Sequence, residues 1–128
     1  MSRPEPQKVA VVTGASQGIG AGLVEAFRAA GYAVVGTALS MPPSDESDYA
    51  TVAGDIVESS TSERVVSEAV DRFGRVDTLI NNAGIYIGKP FTDYSVEDYN
   101  AITAVNLSGF FHITQRAIRQ MVDQGAGH

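Results

Sequence analysis

The sequence predicts an α/β chain folded as a doubly wound parallel sheet. Short apolar runs of strand length alternate with segments whose apolar residues return every three or four positions. Strands that alternate with helices make a parallel sheet covered on both faces. A glycine-rich turn, Thr13-Gly14-Ala15-Ser16-Gln17-Gly18-Ile19-Gly20, joins the first run to the first helical segment. Right-handed crossovers then set the strand order 3-2-1-4.

The first strand is Lys8-Val9-Ala10-Val11-Val12, closed by Thr13-Gly14. A run this short and this apolar fits a strand buried on both faces. Ile19, Leu23, Phe27 and Ala30 recur at helical spacing, and Gly31 ends that helix as a left-handed residue. Residues 33–37 form the second strand, residues 40–49 a polar loop with two prolines, and Thr51-Val52-Ala53 a short third strand running into Gly54-Asp55. Ser60-Thr61-Ser62-Glu63 matches a capping box, in which Ser and Glu satisfy each other's free amides. Val65, Val66, Ala69, Val70 and Phe73 line one face of the next helix, Glu63, Arg64, Glu68, Asp71 and Arg72 the other, and Gly74 stops it.

Residues 76–80 make the fourth strand, followed by Asn81-Asn82-Ala83-Gly84 and a loop to about Tyr94. Ser95-Val96-Glu97-Asp98 is a second capping signature. From there to about Asp123 the pattern is helical, with a break expected near Asn106, a poor helix former. Leu107, Phe110, Phe111, Thr114, Ala117, Ile118, Met121 and Val122 give that helix a broad apolar face.

Composition narrows the function classes. The net charge is -6, from 15 acids against 9 bases, and no Lys/Arg cluster exists to grip a phosphate backbone, so no nucleic-acid partner is expected. There is no cysteine, hence no disulfide, thiolate catalysis or Cys-ligated zinc. His112 and His128 form no metal-ligand spacing, and no metal site is expected. No apolar run is long enough to span a bilayer, and the polar first seven residues lack the apolar core of a signal peptide. The expectation is a cytoplasmic protein with no membrane partner.

The glycine turn carries the chemistry. Gly14 would allow a tight turn, Gly18 would let the backbone approach a pyrophosphate, and Gly20 would let helix pack on strand. Free amides and the helix dipole would then bind the phosphates. No phosphate-loop Lys follows, which disfavours a nucleoside-triphosphate site. Two other readings of these residues stand beside it. One is a plain tight turn. The other is a nucleophile elbow, since Gly14-Ala15-Ser16-Gln17-Gly18 spells G-x-S-x-G and would make Ser16 a hydrolase nucleophile, with His112 or His128 nominally available.

Over nearly its whole length the chain resembles the short-chain dehydrogenase/reductases of the classical type, whose fold is Rossmann-like. Thr13 to Gly20 is similar to the family's TGxxxGxG cofactor turn, which implies cofactor contacts at Gly14, Ser16, Gln17, Gly18, Ile19 and Gly20. Asp55, with Ile56 beside it, sits where the family places an acid against the adenine. Asn81-Asn82-Ala83-Gly84 is similar to the NNAG motif, which implies a cofactor-facing role for Asn82, Ala83 and Gly84. Asn106 matches the helix asparagine that supports the family's proton relay, and so stands as the one catalytic candidate. Each has a plainer reading: Asp55 capping its own loop, Asn82 in an Asx turn, Ala83 and Gly84 in a tight turn, Asn106 facing solvent.

The resemblance implies an NAD(P)-dependent oxidoreductase that interconverts a hydroxyl and a carbonyl on a small-molecule alcohol or carbonyl substrate, working as a homo-oligomer. The alternatives are a non-catalytic dinucleotide-binding module and the Ser16 hydrolase. The family's Tyr-x-x-x-Lys pair is not present. Four residues beyond Tyr32, Tyr49, Tyr86, Tyr94 and Tyr99 stand Gly36, Ala53, Pro90, Asp98 and Thr103. Residues 1–128 are therefore expected to be the dinucleotide-binding part of one domain, truncated after the fourth strand and its following helices. Such a chain would expose a strand edge and the apolar face around Phe110 and Phe111, and is expected to be marginally stable or to self-associate. NAD preference usually needs an acid at the end of the second strand. Ala38 stands there, followed by Leu39 and Ser40, which favours NADP slightly.

Overall fold

The computed structural model describes residues 5–128. Four parallel strands, β1 (Val9–Thr13), β2 (Ala33–Ala38), β3 (Tyr49–Ala53) and β4 (Thr78–Ile80), stand in the order β3-β2-β1-β4, the order that right-handed crossovers predict. β1 sits at the centre, pairing Val11 with Val35 on one side and with Leu79 on the other. Its five residues are all buried. Val9 and Val11 point into one core and Ala10 and Val12 into the other, as the two-residue period of a strand requires.

The first core is closed by α2 (Ser59–Phe73) and α4 (Phe110–Gln124), through Val65 and Ala69 from α2 and Ile113, Ala117 and Met121 from α4. The second is closed by α1 (Gly18–Ala29), through Val24 with Leu23 and Phe27. The helix ends expected at Gly31 and Gly74 are left-handed, with φ of 91° and 87°, and so is Gly125 after α4, with φ of 85°. α3 (Val96–Thr103) begins in a full capping box: Ser95 Oγ accepts from the Asp98 amide and the Ser95 amide donates to Asp98 Oδ2, each at 3.0 Å.

Several expectations are corrected. α2 starts at Ser59 with Glu58 as its cap, and no side chain caps it, so Ser60-Thr61-Ser62-Glu63 is not a capping box. The turn from Asp55 enters the helix earlier and buries Thr61 and Ser62 instead of freeing them for the amides. Ile19 does not anchor the α1 face; it is 76% exposed, and the buried residues are Gly20 and Val24. The buried stripe of α4 is Ile113, Ala117 and Met121, while Leu107, Phe110, Phe111, Ile118 and Val122 face outward. The contact with α2 selects one side of a broadly apolar helix and leaves the other bare. The break near Asn106 is a widening of the helix: residues 104–109 form a π-helical turn between α3 and α4. β4 is shorter than expected, and its outer edge is partly paired, with the His128 amide donating to Asp77 O at 2.8 Å and Leu79 N to His128 O at 2.9 Å. Among the described residues no helix is long and apolar enough to cross a membrane.

Candidate cofactor-binding site

A groove of about 270 Å³ opens where the four strands end, lined by Gly14 and Gln17 after β1, Ala38 and Leu39 at the end of β2, Asp55 and Ile56 after β3, and Ala83, Gly84 and Ile85 after β4. The crevice beyond the carboxyl ends of parallel strands is where open α/β sheets bind ligands. Larger depressions exist, including one of about 590 Å³ between Phe91 and Tyr99, but that one is almost wholly apolar and lies away from the glycine turn. The choice therefore rests on chemistry, not size.

The glycines of the turn differ in their surroundings. Gly14 has φ +64° and Gly18 φ +57°, backbone conformations that glycine adopts without strain. A Cβ at Gly20 would stand 1.9 Å from the Gly14 carbonyl oxygen, so the helix start packs directly on the turn. A Cβ at Gly18 would meet nothing within 4 Å: the turn presents open space there. Gln17 caps α1 without a side-chain bond, and no acid stands in the first turn. The positive end of the helix dipole is thus left uncancelled beside the groove, the arrangement that suits a diphosphate. The residues present fit a dinucleotide's phosphates.

Thr13 and Asn82 hold the turn against the end of β4. The Thr13 hydroxyl, buried, accepts from the amides of Asn82 at 3.0 Å and Ala83 at 2.9 Å, and the Asn82 amide side chain donates to Gly14 O at 3.2 Å. Thr37, the register partner of Thr13, donates from its hydroxyl to Val52 O at 2.7 Å and does the same for β2 and β3. Asn106 acts across the groove. Its side-chain oxygen accepts from the Ile85 amide at 2.8 Å and its side-chain nitrogen donates to Ile85 O at 3.0 Å. A two-point grip of this kind fixes the loop after β4 to the π-helical turn.

The predicted site residues sort by position. Gly14, Gln17, Asp55, Ile56, Ala83 and Gly84 line the groove. Gly20 and Asn82 lie behind its wall, and Asn106 holds its rim. Ile19 projects outward, and Ser16 lines a separate depression with Met41, Pro42 and Tyr49. One oxygen of Asp55 accepts from the Val57 amide at 3.0 Å, the local turn that was its plainer reading, while the residue still faces the groove. The sequence reading missed the wall residues Thr37, Gly54, Ile85 and Val105. A threonine near the end of each of two neighbouring strands, Thr13 and Thr37, is the signal that could have found the first. The nucleophile-elbow reading finds no support: the depression that Ser16 lines holds no histidine among its described residues.

The comparisons agree with this fold. Residues 8–128 match the family model described as short chain dehydrogenase. The 3-oxoacyl-[acyl-carrier-protein] reductase of Escherichia coli is 35% identical over 126 residues, covering 94% of this chain and 52% of that protein. The D-threitol dehydrogenase of Mycolicibacterium smegmatis is 30% identical over 129 residues, covering 94% and 50%. A short-chain dehydrogenase structure from Streptomyces avermitilis superposes with a TM-score of 0.87 at 30% identity, over 97% of this chain and 48% of that one. A 3-ketoacyl-(acyl-carrier-protein) reductase from Brucella melitensis, complexed with NADH, gives 0.84 at 29% identity, over 94% and 52%. The chain spans about half the length of the curated relatives it matches.

Proposed function

The chain belongs to the short-chain dehydrogenase/reductase family, and we propose from that membership that its groove binds NAD(P) for hydride transfer between an alcohol and a carbonyl. Residues 1–128 are, on this reading, the dinucleotide-binding portion of a single domain. The observation that carries it is the open space over Gly18 at the uncapped start of α1, beside a groove walled by all four strand ends. The amides of the turn would hold the diphosphate, Asp55 and Ile56 would face the adenine, and the small residues Ala83 and Gly84 would leave room for the nicotinamide ribose. Asn106 keeps the loop at Ile85 in register with the π-helical turn and supports the proton path. When bound, the nicotinamide supplies the hydride chemistry; the protein supplies orientation.

The missing acid at Ala38 leaves room for a 2′-phosphate and on that ground alone favours NADP. The substrate is a small-molecule alcohol or carbonyl, and the working form a cytoplasmic homo-oligomer in which the bare apolar side of α4 is covered. No Tyr-x-x-x-Lys stands within these 128 residues, so turnover is a property proposed for the whole protein, and cofactor binding the property proposed for this chain. Calorimetric titration with NADH, NADPH and AMP tests it. Saturable binding of at least one dinucleotide, tighter than AMP, is expected; no heat with either dinucleotide on folded protein rejects the proposal.

A further inference from the structure

We propose that Gly109 is a positioning residue of the groove: with no side chain of its own, it lets Ile56 lie back against the π-helical turn and so keeps that end of the groove open for a ligand. This rests on the dinucleotide reading of the groove. The backbone does not require glycine at 109. Its φ of -60° and ψ of -46° are helical values that any residue adopts, and glycine is a poorer helix former than alanine. What glycine supplies there is room. Gly109 is buried, and a Cβ on it would stand 2.7 Å from Ile56 Cγ2, 3.3 Å from Ile56 Cγ1 and 3.5 Å from Ile56 Cβ. With all three atoms that close, turning the stiff β-branched side chain relieves one contact by tightening another. Ile56 would have to move as a whole. It packs on the first core on one side and lines the groove on another. The core is close-packed and the groove is open, so the displacement goes into the groove.

The same turn also meets the opposite wall. Ile56 follows β3 and Ile85 follows β4, the two outer strands of the order β3-β2-β1-β4, so no strand pairing fixes the distance between them. Residues 104–109 touch both. Gly109 lies against Ile56, Val105 lines the groove, and Asn106 grips Ile85 through its two hydrogen bonds. A Cβ at Gly84 would stand 3.2 Å from Asn106 Oδ1, so the turn is close to that wall as well. One short helical turn thus spaces the two side walls, and Gly109 sets the spacing on the Ile56 side.

Calorimetric titration with NADH and NADPH of the unaltered chain, Gly109→Ala, Ile56→Ala and the double variant tests this, each at a temperature where its melt shows it folded. Gly109→Ala is expected to weaken the tighter-binding dinucleotide by about tenfold. In the Ile56→Ala background, where the γ-carbons are gone, the same change should cost less than about twofold. A glycine that only lets the helix pack would cost the same in both backgrounds. Should Gly109→Ala fail to fold, the double variant is still expected to fold and to bind within about twofold of Ile56→Ala; if it does not, the inference falls. Binding by folded Gly109→Ala equal to that of the unaltered chain, or a loss of the same size in both backgrounds, overturns the inference and leaves the dinucleotide reading standing. Failure of the unaltered chain to bind either dinucleotide overturns both.

Discussion

Gly18 and Gly20 stand two residues apart, and the same added methyl group acts on them through different physics. At Gly20 it would meet the Gly14 carbonyl at 1.9 Å, so Gly20→Ala must push helix from strand and is expected to destabilise the fold by about 3 kcal/mol, read as a lower urea midpoint. At Gly18 it meets no protein atom, and the penalty is the left-handed backbone alone, about 1 kcal/mol. Gly18→Ala should therefore leave the chain folded yet weaken NADH binding by more than about tenfold, because the methyl occupies the space read as the diphosphate's. Asn106→Ala removes both bonds to Ile85 and is expected to speed hydrogen exchange at the Ile85 amide by about tenfold, with little change in melting temperature. An unchanged exchange rate would show the loop is held by other contacts. The glycine spacing made the close packing at Gly20 readable in advance. The grip on Ile85 was not readable, because it joins residues 21 apart through a backbone that only the π-helical turn brings near.

Between elements, a buried polar tie outside the groove lies at the opposite end of β1. Asp77, buried, accepts from the Val9 amide at 2.8 Å and from Arg75 through two guanidinium nitrogens. Burial by itself would push the Asp77 carboxyl up, but the Arg75 hydrogen bonds, the Val9 amide and the charges of Arg75 and Lys8 outweigh it and hold the group below its ordinary 3.8. A carboxylate depressed in the folded state stabilises that state above the unfolded value and loses the contribution as pH falls through the folded one. Thermal stability should thus drop below about pH 3.8, and Asp77→Asn should flatten that part of the profile. Asp77→Ala, which strands the Val9 amide, should cost about 2 kcal/mol at neutral pH. Strand order and helix identity were legible at this scale because parallel β-α alternation admits few topologies. The two capping signatures were not equally legible. Ser95 caps α3, but Ser60 lies inside α2, because the Asp55 turn starts the helix first. Local sequence patterns compete with the turn that delivers the chain to them.

The four-stranded sheet carries one incompletely covered helix. Leu107, Phe110, Phe111, Ile118 and Val122 form an outward apolar side, with Val122 72% exposed. Contiguous apolar surface of this kind marks an association face or an aggregation liability. Sedimentation should show concentration-dependent self-association, and Phe111→Asp should reduce it without lowering stability. A monomer at all concentrations would mean the side is tolerated bare. The sequence marked the apolar residues of α4 but not which side would be buried, since the pattern was apolar almost all round and only the seat against α2 decides. Amide chemical shifts on adding NADH report whether the amides between β1 and α1 hold a dinucleotide. Shifts should concentrate at Gly14, Gln17, Gly18, Asp55, Ile56, Ala83 and Gly84. Spectra in which those amides stay still while NADH is present in excess would contradict it.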